Sequence, residues 1–260
     1  MKIEGARTLV TGGSSGIGAA LAAGLHRRGA TVVVQGRDPE RTQAVADLVT
    51  GAAVLIDLTD SEAVDALVAA GPFDIVVMNA GRGYSGPLGA MTAAQTQELL
   101  SLDLTCVIAL TQAILPGMIA RGSGHLCFVS SIAARTIVAG EAVYSAAKAG
   151  VDAFAESLRA ELAGTGIGVT VVVPGVVDTE FFAARGRPYE RKSPRPVPAA
   201  RVALATVRAI EGDHAEVFVP AWLRVAPVVR ALAPRTFRAL TARFGEKVHA
   251  SRESEGLDRG

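Results

Sequence analysis

Short runs rich in Val, Ile and Leu alternate along this chain with longer Ala- and Leu-rich segments, and the alternation continues to about residue 220. Residues 7–11, 31–35, 52–56, 73–79, 125–130 and 169–173 read as six strands. Between them, residues 16–29, 39–49, 61–70, 92–121 and 144–162 read as helices. Gly29 closes the first, and Asp60 and Ser61 are capping candidates for the third. The fourth is long and strongly apolar, and Pro116 predicts a kink near its end. Strands apolar on both faces and separated by helices specify a parallel sheet covered on both sides. Right-handed crossovers then give a doubly wound α/β fold, with ligands at the carboxyl ends of the strands.

Beyond Pro174 the pattern changes. Residues 185–201, rich in Arg and Pro, predict an irregular loop with a basic face. A helix over 199–211 and a seventh strand over 215–220 follow. From 222 to 244, arginines are scattered among Leu, Val, Ala and Phe, with interruptions at Pro227 and Pro234. The last dozen residues are polar and expected to fray. Nothing repeats and no low-complexity linker intervenes, so residues 1–260 read as one domain. Its core covers about 5–180, and a substrate lid with a helical C-terminal extension covers about 181–260.

Composition narrows the function. Half of the residues are hydrophobic, a fifth are charged and the net charge is +1, which argues against a charge-driven nucleic-acid binder. Cys106 and Cys127 lie in apolar runs and read as reduced, buried thiols, so neither a disulfide nor a metal site is expected. The N-terminus lacks the apolar core of a signal peptide. No uninterrupted apolar run approaches the roughly 20 residues of a membrane span. A cytoplasmic protein is the expectation.

Two stretches carry chemistry. Tyr144 and Lys148 share one face of a helix at i, i+4 spacing. An ammonium beside a phenol favours the phenolate and brings it toward useful proton transfer. Ser131, at the end of a buried strand, can donate to the oxygen the phenol serves. Its neighbour Ser130 points to the opposite face of a regular strand. The second stretch, Thr11-Gly12-Gly13-Ser14-Ser15-Gly16-Ile17-Gly18, joins the first strand to the first helix. Glycines at 12, 16 and 18 let the backbone turn sharply and approach a pyrophosphate at the helix N-terminus. The alternative is a glycine-rich turn without a ligand.

T-G-x-x-x-G-I-G at 11–18, N-A-G at 79–81, Ser131 thirteen residues before Tyr144, Lys148, and Pro174-Gly175 with Thr179 together resemble the short-chain dehydrogenase/reductase family. The match covers about residues 5–180. It implies a Rossmann-type fold, a nicotinamide cofactor, and hydride transfer between a carbonyl and an alcohol. By resemblance, Tyr144 is the acid/base, Lys148 lowers its pKa and binds the nicotinamide ribose, and Ser131 orients the substrate oxygen. Thr11, Gly12, Ser14, Ser15, Gly16, Ile17 and Gly18 would hold the pyrophosphate side. Asn79, Ala80 and Gly81 would close against the adenosine side, with Asp57 and Leu58 at the adenine. Pro174, Gly175, Val177 and Thr179 would line the nicotinamide side. Asp57 and Thr179 have plainer readings as turn residues.

Cofactor choice depends on residues 34–38, V-Q-G-R-D. An NAD site places an acid there for the ribose 2′-hydroxyl, whereas an arginine accommodates a 2′-phosphate. Gly36 occupies the acid's place and Arg37 follows, so NADP(H) is expected over NAD(H), a solvated Arg37 being the alternative. One departure stands out: the family's helix asparagine is Asp103 here, which accepts hydrogen bonds but does not donate when ionised.

The substrate is expected to be a small, lipophilic ketone or secondary alcohol, with Phe181, Phe182 and Tyr189 as apolar lid contacts. A 3-oxoacyl-thioester reductase and a catalytically idle dinucleotide-binding regulator are the alternatives. The family implies a homodimer or homotetramer. The extension either packs on the body or a subunit interface, or rests peripherally on a membrane.

Overall fold

A computed structural model describes residues 1–187, 189 and 194–244. Parallel strands β1 (Arg7–Val10), β2 (Thr31–Gly36), β3 (Ala52–Leu55), β4 (Ile75–Met78), β5 (Gly124–Val129) and β6 (Ile167–Pro174) form one sheet. They alternate with helices α1 (Gly16–His26), α2 (Pro39–Leu48), α3 (Ala63–Ala69), α4 (Ala93–Leu100), α5 (Cys106–Arg121), α6 (Ile132–Arg135) and α7 (Ala142–Glu161). The chain continues through β7 (Val177–Asp178), α8 (Phe181–Ala184), β8 (Val197–Pro198), α9 (Ala199–Glu211), β9 (Glu216–Val219), α10 (Val225–Leu232) and α11 (Pro234–Phe244).

The sheet order is β3-β2-β1-β4-β5-β6-β9, the doubly wound arrangement expected from the alternation. Its order reverses between β1 and β4, which opens a crevice at the carboxyl ends of those strands. The strand period of two divides the apolar residues between two layers. Val10, Val34, Val77 and Val172 face α1 and α9, where Leu21, Leu25, Val207 and Ile210 are buried. Leu9, Val33, Val76 and Phe128 face α3, α5 and α7 through Leu67, Leu110, Ile114 and Leu158.

Several local expectations are corrected. The helix expected over 92–121 starts at a Thr92–Gln95 capping box. It continues past Pro116 to Arg121, and a π-helical turn that was not expected lies at Ser101–Thr105. Asp103, whose contacts are described below, lies within that turn. Ala93–Arg121 as a whole is long and apolar enough to cross a membrane by length and composition. Leu99, Leu110, Ile114 and Met118 within it are nevertheless buried in the core. The third helix begins at Ala63, and neither Asp60 nor Ser61 caps it: its N-cap is Glu62, without a side-chain bond. Two short pieces were not anticipated: α6, which Ser131 caps by accepting from the Ala133 N–H, and the small β7–β8 pair. Within the Arg/Pro-rich stretch, residues 188 and 190–193 lie outside the described residues, as do the polar residues 249–260.

Candidate active site

The β1–α1 turn is held by backbone contact. Gly12 and Gly16 adopt φ of 61° and 54°, a region that favours glycine. A Cβ at Gly12 would lie 2.8 Å from the Ala80 Cα, and one at Gly18 would lie 2.1 Å from the Gly12 oxygen. Thr11 locks the turn to the strand below, its Oγ1 accepting from the N–H of Asn79 (2.9 Å) and of Ala80 (3.1 Å). The Asn79 amide donates back to the Thr11 oxygen at 3.0 Å. Gln35 of β2, passed over in the sequence, accepts from the Gly12 N–H at 3.0 Å and donates to the Ile56 oxygen at 2.7 Å. A lone amide at the end of a V-V-V run was the available signal for it.

These elements border a cavity of about 680 Å³. Every residue singled out in the sequence lines it except Thr11, Gly18 and Asp103. The first two shape the turn from behind, because Thr11 is turned inward to residues 79 and 80 and Gly18 abuts the Gly12 carbonyl. Gly16 and Ile17 present the first turn of α1, whose N-cap Ser15 makes no side-chain capping bond. An uncapped helix N-terminus on a cavity wall suits an anionic phosphate.

Across β2 and β3, Arg37 Nη1 lies 3.6 Å from Asp57 Oδ2. The other Asp57 oxygen accepts from the Thr59 N–H at 3.0 Å, so its turn role and its cavity position coexist. That N–H, with smaller help from the Thr59 hydroxyl and Arg37, holds the carboxyl below its ordinary range against the opposing effect of burial. Arg41 also reaches this wall, bonded at 2.6 Å to Glu180 at the start of α8. Separated by 139 residues, that pair left no trace in the sequence.

At the other end, Tyr144, Lys148 and Ser131 meet on one wall. Tyr144 and Lys148 are both buried one turn apart on α7. Ser131 lines the cavity with them, its hydroxyl accepting from the Ala133 N–H at 3.1 Å. Ser130 turns away from them, its hydroxyl toward the Lys148 carbonyl at 3.5 Å. Lys148 Nζ donates to the Val129 oxygen at 3.3 Å and lies 3.3 Å from Asp103 Oδ2. Asp103 is fully buried, and its other oxygen accepts from the Arg82 N–H at 2.7 Å. Burial raises the Asp103 carboxyl's pKa, with Lys148 and that N–H opposing. A Cβ at Gly81 would come 3.0 Å from Asp103 Oδ2 and 3.1 Å from Lys148 Nζ, so any side chain there crowds this pair.

The electrostatics correct one expectation. Burial, then the Asp103 carboxylate, push the Tyr144 phenol upward, and the Ser131 hydroxyl only partly offsets them. The carboxylate 3.3 Å from Lys148 counters the ammonium that was expected to favour the phenolate. As it stands, the phenol is a proton holder.

The segment from α8 onward adds an aromatic file. Tyr144 and Phe181 have ring centres 5.7 Å apart, Phe181 and Phe182 5.7 Å, and Phe182 and Tyr189 5.3 Å. Arg185, expected on a solvated basic loop, is instead buried. It pairs with Glu141 just before α7 and lies 4.5 Å over the Phe182 ring. Among the described residues, no three of His, Cys, Asp or Glu cluster as a metal site requires.

Residues 6–190 match the family model described as short chain dehydrogenase. The chain belongs to the short-chain dehydrogenase family. It is 36% identical over 204 residues to an uncharacterized oxidoreductase of Staphylococcus aureus (strain USA300), covering 75% of this chain and 88% of that one. It is 32% identical over 227 residues to the ketoacyl reductase HetN of a Nostoc species, covering 84% of this chain and 79% of that one. Among solved structures, a short chain dehydrogenase from Burkholderia cenocepacia in complex with NADP is similar at a TM-score of 0.81 and 29% identity, over 95% of this chain and 100% of that one. This short-chain dehydrogenase is therefore an oxidoreductase of the NAD(P)-dependent kind. The uncapped α1 N-terminus and the glycine contacts at 12 and 18 fit a nicotinamide dinucleotide in the cleft.

Proposed function

We propose that this short-chain dehydrogenase uses NADP(H) to interconvert a lipophilic ketone and its secondary alcohol. The observation that carries the reading is the meeting of Ser131, Tyr144 and Lys148 on the cavity wall, beneath the file of Phe181, Phe182 and Tyr189. The dinucleotide supplies or takes up the hydride. Ser131 donates to the substrate oxygen and Tyr144 protonates it during reduction. A phenol kept protonated by burial suits that direction. Lys148, held by Asp103 and the Val129 carbonyl, presents its charge to the ribose side. Gly12, Ser14, Ser15, Gly16 and Ile17 take the pyrophosphate, Asp57 and Leu58 the adenine, and Arg37 a 2′-phosphate. Pro174, Gly175, Val177 and Thr179 border the nicotinamide. Residues 1–260 act as one domain, with residues 5–180 as the catalytic core, in a cytoplasmic homodimer or homotetramer.

The 32% identity to a ketoacyl reductase favours a second reading, a 3-oxoacyl-thioester substrate in the same site. Assays of 3-oxoacyl thioesters beside simple lipophilic ketones separate the two. For the mechanism, Tyr144→Phe retains NADPH binding and loses about 10²–10⁴-fold in turnover, the usual range for a general acid. A Phe variant as active as the parent refutes it.

A further inference from the structure

Eleven large hydrophobic side chains are exposed among the described residues, and four of them fall within residues 222–232: Trp222 (57%), Val225 (56%), Val228 (53%) and Leu232 (82%). Their spacing of three, three and four residues puts them in one stripe along a short 3-10 turn (Ala221–Arg224) and α10. The opposite side of the element is fixed to the body. Leu223 is buried in the core, and Arg230 donates to the Arg135 carbonyl at 3.0 Å. The stripe therefore faces outward.

The charge along this segment is one-signed. Residues 222–244 contain five arginines and no Asp or Glu. Arg224, Arg230, Arg235 and Arg238 are exposed. A twofold contact with a second copy sets the same patch against itself, which confronts arginine with arginine. An anionic bilayer accommodates both features: apolar side chains enter the headgroup–acyl boundary while arginines meet phosphates.

We propose that residues 221–232, with Arg235 and Arg238 of α11, seat this face on an anionic phospholipid bilayer. The position adjoins the cleft. Leu223 packs against Gly175, and Arg135 ends α6, which starts directly after Ser131; Gly175 and Ser131 both line the cavity. Delivery of a bilayer-dissolved substrate rests on the function proposed above, whereas the membrane contact stands without it.

Trp222 is the sole tryptophan of the chain, so its fluorescence reports on the stripe directly. The full-length protein is titrated with phosphatidylcholine vesicles and with vesicles containing phosphatidylglycerol, alongside co-sedimentation. The expected result is a blue shift and sedimentation with the anionic vesicles, both weakened severalfold toward about 1 M salt, where the Debye length is roughly 3 Å. Leu232→Glu combined with Val228→Glu cuts binding at least tenfold, and Arg235→Gln combined with Arg238→Gln reduces the preference for anionic lipid. NADPH binding by each variant shows that it is folded. No shift and no sedimentation with either vesicle overturns the proposal. So does concentration-dependent self-association that the Glu variant abolishes without any vesicle binding, which would assign the stripe to a second copy. Neither readout depends on turnover, so failure of the catalytic reading leaves this test intact.

Discussion

Asp103→Asn tests the electrostatics of the active site. Asn keeps a carbonyl to accept the Arg82 N–H and removes the charge 3.3 Å from Lys148. Lys148 Nζ is 5.9 Å from the centre of the Tyr144 ring, so the two distances place the carboxylate within about 9 Å of that centre. At about 9 Å and an effective dielectric of about 20, two unit charges interact by about 2 kcal/mol, a little over one pH unit. Tyr144 and Asp103 are both buried, so solvent screens little of it. The carboxylate disfavours the phenolate, so its loss lowers the phenol's pKa. Alcohol oxidation needs the phenolate as base, and its rate rises with pH through that pKa. The pH profile of kcat/KM for oxidation should therefore move at least about one pH unit lower in Asp103→Asn. Ketone reduction near neutrality, which uses the protonated phenol, should change only a few-fold. An oxidation limb that stays in place or moves to higher pH refutes the reasoning.

Three further outcomes follow from other parts of the molecule. Arg37→Ala should weaken NADPH about tenfold or more, as expected for losing a charge-assisted bond, and leave NADH within a few-fold in fluorescence titrations; equal losses for both refute the 2′-phosphate assignment. Gly18→Ala puts a methyl against the Gly12 carbonyl and the Asn79 amide, so it should cost about 1–3 kcal/mol in thermal or denaturant unfolding and impair dinucleotide binding. His125 is buried, and its Nε2 shares a 2.8 Å hydrogen bond with Thr170, whose hydroxyl donates to the His214 carbonyl; burial lowers the ring's pKa to about 4. The unfolded chain then takes up a proton near pH 6.5 that the folded ring refuses, so stability should fall by up to about 3 kcal/mol as pH drops from about 6.5 to 4. His125→Gln should flatten that slope in denaturant titrations, and an unchanged slope counts against it.

The parallel sheet was legible because a strand buried on both faces must be continuously apolar, and V-T-V-V-V or I-V-V-M permits little else. The glycine turn was legible for a related reason: its glycines answer to positive φ and to contacts that leave no room for a Cβ. Tyr144 and Lys148 needed only helical spacing to become neighbours. Charge balance was not legible, because it depends on distances between segments far apart in the chain. Asp103 could be named as a departure, yet only the fold brings it against Lys148, reverses the expected effect on Tyr144 and puts a π-helical turn at that position. Arg185 illustrates the same limit: an Arg/Pro-rich stretch reads as solvated until Glu141 and the Phe182 ring give one of its arginines a buried place. Local pattern determined which segments pack and where the reactive groups lie along the chain. Tertiary contact decided which groups are buried and which charges meet, and both determine what the phenol can do.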